Sequence, residues 1–297
     1  MMRRPTPVRL PVPALRPASR DWGLYGARVV LALCAALFIA ACASSSPTKE
    51  DNASSNALTQ AAQNIERRAS QAFAKSEFDS AAAGYESAAL VYETLALPEP
   101  QARARLSQAR ALADAGRAPM ALEIITALLQ SPAGLSPEVL TTAHGRAAAL
   151  TLDSDLPRAQ THLQNAVRIC ANTCAQRSAL GVLRARTELA SSNPAAAALS
   201  ASAAFTAAQN NNDRANALRA RAQANAALGQ HAQVLVDAQQ ALALHQDLGL
   251  APRVLADLVL LQRASQAQGD AAAALRYSTL AQRAVAAGAA LRSEAAK

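Results

Sequence analysis

The feature that most constrains this chain is a set of short helix-breaking turns that recur at a nearly constant spacing. Each turn is followed by a small residue, then four positions later by a second core residue, and three positions after that by an alanine or leucine. A period between about 20 and 50 residues predicts a repeat array, in which stacked units share one elongated core. The anchor residues of the six copies lie 36 to 40 residues apart and are Phe78, Ala118, Leu156, Ala195, His231 and Ala271.

The composition indicates that each repeat is helical. Alanine makes up about a quarter of the chain, and Leu, Gln and Arg are abundant; all four are strong helix formers. Aromatic residues account for 3%, and no alternating run of Val, Ile or Thr indicates a strand. The turns leave segments of about 12 to 18 residues between them. We therefore predict an all-α array of helix–turn–helix units.

This pattern resembles the tetratricopeptide repeat (TPR). In that repeat, helix A ends in a Gly-Asp-like turn and helix B carries a small residue, an aromatic residue and an alanine at the offsets seen in Ala81-x3-Tyr85-x2-Ala88. The resemblance covers residues 57–288. It implies a TPR-like helix–turn–helix solenoid of about six repeats over residues 57–297, with a period longer than the usual 34 residues. A generic α-solenoid is the alternative.

The first 41 residues have the features of an export signal. Six arginines and one acidic residue, Asp21, precede Val29–Ala41, a run of thirteen apolar residues. This run suits the apolar core of a secretory signal and is shorter than the roughly 20 residues that span a bilayer as a helix. We predict that residues 1–41 are a signal peptide.

The signal ends in Ile39-Ala-Ala-Cys42, which resembles a lipobox. In a lipobox the cysteine thiol takes a diacylglycerol before the signal is cleaved. The resemblance implies a bacterial lipoprotein that is lipidated on Cys42. Two alternatives stay open: cleavage at the small-x-small pattern Ala41-Cys-Ala43, which would release a soluble periplasmic protein, and an uncleaved membrane anchor.

Residues 42–56 follow as a Ser-rich segment without apolar periodicity, which predicts a flexible, disordered tether. By resemblance to lipoprotein sorting rules, the absence of Asp after Cys42 implies the outer membrane, facing the periplasm, with the inner membrane as the alternative. The net charge is +8 for the whole chain but +3 for residues 42–297. This small net charge gives no indication of nucleic-acid binding. We expect the chain to contact the membrane only through the lipid.

Two further cysteines, Cys170 and Cys174, would lie in an oxidising compartment, which favours a disulfide. On an unbroken helix, residues four apart have Cβ atoms about 6 Å apart, too far for an unstrained bridge. A helix end at Asn172 would remove this obstacle. We therefore predict a possible structural disulfide; a metal pair is less favoured because it would have only two ligands.

No motif for catalysis or cofactor binding is recognisable. The four histidines, His144, His162, His231 and His245, lack metal-ligand spacing, and there is no phosphate-binding glycine loop or Gly-x-Ser-x-Gly motif. We expect no enzyme activity, no metal and no cofactor.

By the TPR resemblance, helix A residues line a concave groove that takes peptides or helices of partner proteins. A mildly basic groove would suit an acidic peptide or a carboxylate terminus through bidentate arginine contacts. The alternative is that the arginines are a solvated face that keeps Ala-rich helices soluble. Counting back from each turn places seven residues on this face: Arg103, Arg110, His144, Arg219, Gln223, Arg263 and Gln266.

The function that these features predict is a lipid-anchored envelope scaffold or adaptor that binds a protein or peptide partner. Lipoproteins of similar design act in pilus or secretin assembly, outer-membrane protein insertion or peptidoglycan synthesis. A periplasmic carrier or sensor that binds a small ligand is the second hypothesis, and an enzyme of unknown type is the third. The oligomeric state stays open.

Overall fold

The structure is a computed structural model that describes the backbone of residues 49–171 and 174–295 and the side chains of residues 55–171 and 174–286. The predicted signal peptide, Cys42 and the first part of the predicted tether lie outside the described residues. The helices are α1 (Lys49–Ala74), α2 (Phe78–Thr94), α3 (Pro98–Asp114), α4 (Ala118–Gln130), α5 (Pro137–Thr151), α6 (Leu156–Cys170), α7 (Arg177–Ala190), α8 (Pro194–Thr206), α9 (Asn211–Ala227), α10 (His231–Asp247), α11 (Ala251–Ala267) and α12 (Ala271–Ala295).

Consecutive helices pack as six hairpins, α1–α2 to α11–α12, and each hairpin also packs on the next. The first helix of each pair is helix A and the second is helix B. A helices of successive repeats touch along one side of the array, from α3 to α11. The prediction of an all-α, TPR-like solenoid of six repeats is confirmed for the part of the chain that the structure describes.

Five of the six turns between helix A and helix B share one backbone conformation. The residue two positions before helix B has a left-handed φ, for example 79° at Gly116 and 72° at Gly229. The next N–H then donates to a carbonyl five residues back, as Arg117 does to Leu112 at 2.8 Å. This hydrogen bond satisfies a carbonyl that the end of helix A would otherwise leave unpaired. The five left-handed residues are Ser76, Gly116, Ser192, Gly229 and Gly269.

Because these turns have a fixed length, helix B begins where the repeat pattern predicts. In five repeats it begins at the predicted anchor residue, and in the fourth it begins at Pro194, one residue before the predicted Ala195. The third repeat uses a different local signal. There the Asp155 side chain accepts a hydrogen bond from the N–H of Arg158 at 3.1 Å and caps the start of α6.

Small residues explain how two helices of a hairpin approach each other closely. The fourth residue of every helix B is buried, and these residues are Ala81, Ala121, Ala159, Ala197, Val234 and Ala274. In the fourth repeat the contact is closer still, because a Cβ on Gly181 would lie 2.8 Å from the Cβ of Ala204. An Ala-rich chain therefore forms its core through close backbone approach rather than through large side chains.

Two local features differ from the predicted boundaries. Helix α1 begins at Lys49, inside the predicted tether of residues 42–56; no proline or glycine lies between Lys49 and Asn56 to interrupt a helix there. Helix α6 ends at Cys170 rather than at Asn172. Cys170 and Cys174 form a disulfide in the structure, with their Cα atoms 5.1 Å apart.

Candidate functional site

The A helices of repeats three to six line a cavity of about 570 Å³, which we call the A-helix cleft. Its residues come from α5, α7, α9 and α11 and from Gln176, just before α7. Apolar side chains such as Val182 and Leu183 form part of the wall. The cleft therefore lies on the face where the TPR resemblance implies a binding groove.

The charge of the A-helix cleft is strongly positive. One arginine comes from each of its four A helices: Arg146, Arg186, Arg219 and Arg253. Asp213 is the only acidic residue among those that line it. Such a concentration of one charge in a concave site attracts ligands of the opposite charge.

Arg219 is neutralised by a buried cluster rather than left for a ligand. Its Nε donates to Asp257 Oδ1 at 2.6 Å, and its Nη2 donates to the carbonyl of Arg253 at 2.8 Å. Asp257 Oδ2 lies 2.7 Å from Nδ1 of His245. Asp257 and His245 are fully buried, so this cluster holds α9, α10 and α11 together.

The other three arginines of the cleft have no carboxylate within 4.0 Å among the described residues. Arg146 donates to the carbonyl of Leu106, and burial, reinforced by the charge of Arg110, lowers its pKa to about 10. Burial, followed by the charges of Arg219 and Arg186, also lowers the pKa of Arg253. The guanidinium of Arg253 is therefore repelled by those of Arg219 and Arg186 across the cleft.

Three polar atoms of the cleft wall are buried without a hydrogen-bond partner in the described structure. They are Oγ1 of Thr141, Oε1 of Gln176 and Oδ1 of Asn216. A buried oxygen without a partner is uncommon, because it has lost its water without compensation. Their grouping marks this wall as a part of the cleft where hydrogen bonding within the described chain is incomplete.

The sequence-predicted groove residues fall into two groups. Arg219 and Gln223 line the A-helix cleft. Arg103 instead bridges Glu99 and Glu138 at the surface, at 3.0 and 3.3 Å.

Arg110, His144, Arg263 and Gln266 are likewise not among the lining residues of the A-helix cleft. Arg110 lies over the ring of Phe73, with its Cζ 4.4 Å from the ring centre. His144 packs within its own hairpin, where its Nδ1 lies 3.1 Å from Nδ1 of His162. Arg263 and Gln266 are exposed further along α11.

Sequence reasoning missed Arg146, Arg186 and Arg253, although one of them carried a signal. Arg186 lies eight residues before the start of helix B, the position that Arg110 and Arg263 hold in their repeats. The same count would have placed it on the predicted face. Arg253 is at the start of α11, and only the stacking of the repeats brings it to this cleft.

Among the residues that the structure describes, no group of three or more His, Cys, Asp or Glu side chains is placed to hold a metal ion. None of the described helices combines the length and the apolar character that a membrane span requires.

No protein-family model matches the chain, and no curated protein matches it in sequence. It is similar in structure to BtubC (BKLC) from P. vanneervenii, with 17% identity and a TM-score of 0.54 over 75% of this chain and 91% of that one. A tetratricopeptide repeat protein from Parabacteroides merdae has 12% identity and a TM-score of 0.43 over 75% and 93% of the two chains. The TPR2AB domain of yeast Sti1, in complex with pHSP90, has 14% identity and a TM-score of 0.34 over 80% and 99%. At these identities a likeness concerns the fold alone, and the fold of this chain is a TPR-like helical solenoid.

Proposed function

We propose that this protein is a lipid-anchored adaptor of the bacterial cell envelope, attached to the outer membrane through Cys42 and facing the periplasm. In this proposal the helical array binds a protein or peptide partner rather than catalysing a reaction. The process that such an adaptor would serve is one of three: pilus or secretin assembly, outer-membrane protein insertion, or peptidoglycan synthesis. The observation that carries the proposal is the continuous row of A helices from α3 to α11.

Exposed polar residues on this row support a protein partner. Arg110 and Arg263 occupy the same position in repeats two and six, and Arg263 and Gln266 are exposed on α11. Arginine is favoured where carboxylates are recognised, because its planar guanidinium binds them in a bidentate way. An acidic segment of a partner lying along the A helices would meet these side chains in turn.

A test of the partner uses in-cell photo-crosslinking with the full chain. A photoreactive residue at Gln266, on helix A of the last repeat, is expected to trap a protein partner. The matched control is Gln282, an exposed residue of helix B in the same repeat. Adducts of equal yield from both positions, or from neither, would contradict binding along the A helices.

The anchor is tested by Cys42→Ala, with Cys34→Ala as its matched control. Cys34 lies within the apolar run of the predicted signal, so its loss is expected to leave labelling with palmitate intact. Cys42→Ala is expected to abolish labelling and to block processing by the lipoprotein peptidase. Unchanged processing of Cys42→Ala would refute the lipid anchor without touching the adaptor proposal.

A further inference from the structure

The three uncompensated arginines of the A-helix cleft call for an anion. Arg146, Arg186 and Arg253 come from repeats three, four and six, so they surround the cavity instead of forming one local run. Because no carboxylate of the described chain lies within 4.0 Å of them, none of the three forms a direct ion pair there. Several separated cations suit an anion with more than one charged group.

The unpartnered oxygens define a second requirement for the ligand. The amide oxygens of Gln176 and Asn216 accept hydrogen bonds but cannot donate them, and both are closed off from solvent in the wall of this cavity. The two residues are only half-buried, so a rotation of each side chain brings its oxygen to the cavity, where a ligand can reach it. An anionic group only accepts, so it cannot satisfy them. The ligand must therefore also carry donors, such as hydroxyl groups, beside its charges.

The size of the cavity suits a small molecule. A volume of about 570 Å³ lies within the range of roughly 300–1,000 Å³ that is typical of small-molecule sites. A helix with its side chains is about 10–12 Å wide, so this volume would hold only about one turn of it. A small molecule therefore fits in the cleft as a whole, whereas a partner helix would occupy it with only a short part of its length.

We propose that the A-helix cleft binds a small hydroxylated polyanion, either a phosphate ester of a sugar or polyol or a hydroxylated polycarboxylate. Its anionic groups bind Arg146, Arg186 and Arg253, and its hydroxyl groups donate to Gln176 and Asn216. The apolar wall contacts its carbon skeleton. This site is independent of the protein partner proposed above, which is expected along the exposed rim of the A helices.

Calorimetric titration of the purified full chain tests the proposal, with fructose 1,6-bisphosphate and citrate as probes for the two ligand sources. Inorganic phosphate and glucose are the reference compounds, because each lacks one of the two required features. At least one of the two probes is expected to bind at least about tenfold more tightly than inorganic phosphate, and glucose is expected not to bind. A tenfold difference in affinity corresponds to one or two additional hydrogen bonds between ligand and protein.

Variants connect the binding to the cleft. Arg186→Gln and Arg253→Gln are each expected to weaken binding of the probe about 10- to 100-fold, the range for a lost charge-assisted hydrogen bond. Arg184→Gln is the matched control, because Arg184 is exposed on the same helix but does not line the A-helix cleft. Asn216→Leu is expected to reduce the preference for the probe over inorganic phosphate. Circular dichroism of each variant checks the fold.

Three outcomes would overturn the proposal. The first is no saturable binding of either probe, and the second is equal affinity for the probe and inorganic phosphate, which would mean an adventitious ion only. The third is binding that Arg186→Gln, Arg253→Gln and Arg184→Gln weaken alike. A peptide of six glutamates that binds through Arg186 and Arg253 while both probes fail would assign the cleft to an acidic partner, and would leave the adaptor proposal standing.

Discussion

The buried cluster around Asp257 allows a quantitative test of what holds the last repeats together. Asp257 is fully buried and pairs with Arg219, whose side chain is 8% exposed, at 2.6 Å, and with His245 at 2.7 Å. Asp257→Ala would leave the guanidinium of Arg219 buried without a counter-charge. Removal of one partner from a buried ion pair costs about 3–5 kcal/mol. We expect a loss of this size in the free energy of unfolding.

Urea unfolding followed by far-ultraviolet circular dichroism measures this loss. Repeat arrays can unfold in steps, so the change is expected in the transition that includes repeats five and six. The matched control is Glu138→Ala, which removes a surface carboxylate that is 57% exposed and pairs with Arg103 at 3.3 Å. An exposed pair of this kind contributes less than about 1 kcal/mol.

The reasoning is refuted if Asp257→Ala destabilises the protein no more than Glu138→Ala does. A third variant separates the cost of an unpaired charge from the loss of packing. Replacing the whole cluster with Arg219→Met, Asp257→Leu and His245→Leu should recover most of the stability, because no charge then stays buried alone. A triple variant that is less stable than Asp257→Ala would show that the cluster itself contributes favourably.

Three other measurements test separate features. Gly181→Ala is expected to cost about 1–3 kcal/mol of unfolding free energy, because the new Cβ would lie 2.8 Å from the Cβ of a neighbouring alanine. The control Gly145→Ala has its nearest contact at 3.5 Å and should be neutral or stabilising by up to about 1 kcal/mol. Equal effects of the two variants in chemical denaturation would contradict this packing. Burial lowers the pKa of both His144 and His162. The two neutral imidazoles therefore stabilise the fold above about pH 6.5, and this stabilisation is lost as the pH falls through the lowered pKa values. The melting temperature should fall when the pH is lowered from about 7.5 to about 5.5, and it should fall by less in His162→Gln. Reduction of the Cys170–Cys174 disulfide at the end of α6 should lower the free energy of unfolding by about 2 kcal/mol, because the disulfide closes a short loop. An unchanged melting temperature in the presence of reductant would contradict this.

The fold was predictable because its signals are local. A turn residue such as Gly116 or Gly229 adopts a left-handed φ, and helix B begins two residues later whatever lies elsewhere in the chain. The pattern of small residues then identifies the buried face of each helix B. Prediction was least accurate at the start of α1, where a polar, Ser-containing sequence gives no apolar periodicity from which to read a boundary.

The binding face was less predictable because its chemistry depends on neighbours that are distant in sequence. Helical periodicity places Arg219 and His144 on helix A, but it does not say what lies opposite. Arg219 meets Asp257, which is 38 residues away, and His144 meets His162, which is 18 residues away. Counting along one helix cannot distinguish an arginine that is free for a ligand from one that a buried carboxylate already neutralises.

The polar clusters also answer a question that the Ala-rich core raises. Helix α9 buries five alanines and only one larger apolar side chain, Leu218, and small flat surfaces of this kind specify the register between helices weakly. Arginines of this helix donate hydrogen bonds to two fully buried aspartates. Arg221 binds Asp237 in bidentate geometry at 2.7 and 2.9 Å, and Arg219 binds Asp257 at 2.6 Å. A one-residue shift of α10 would separate Asp237 from Arg221, and a one-residue shift of α11 would separate Asp257 from Arg219. Either shift would leave a buried carboxylate without its arginine, at a cost far above that of sliding one alanine past another. We infer that these ion pairs determine how α10 and α11 pack against α9, and therefore where Arg253 is presented to the cleft.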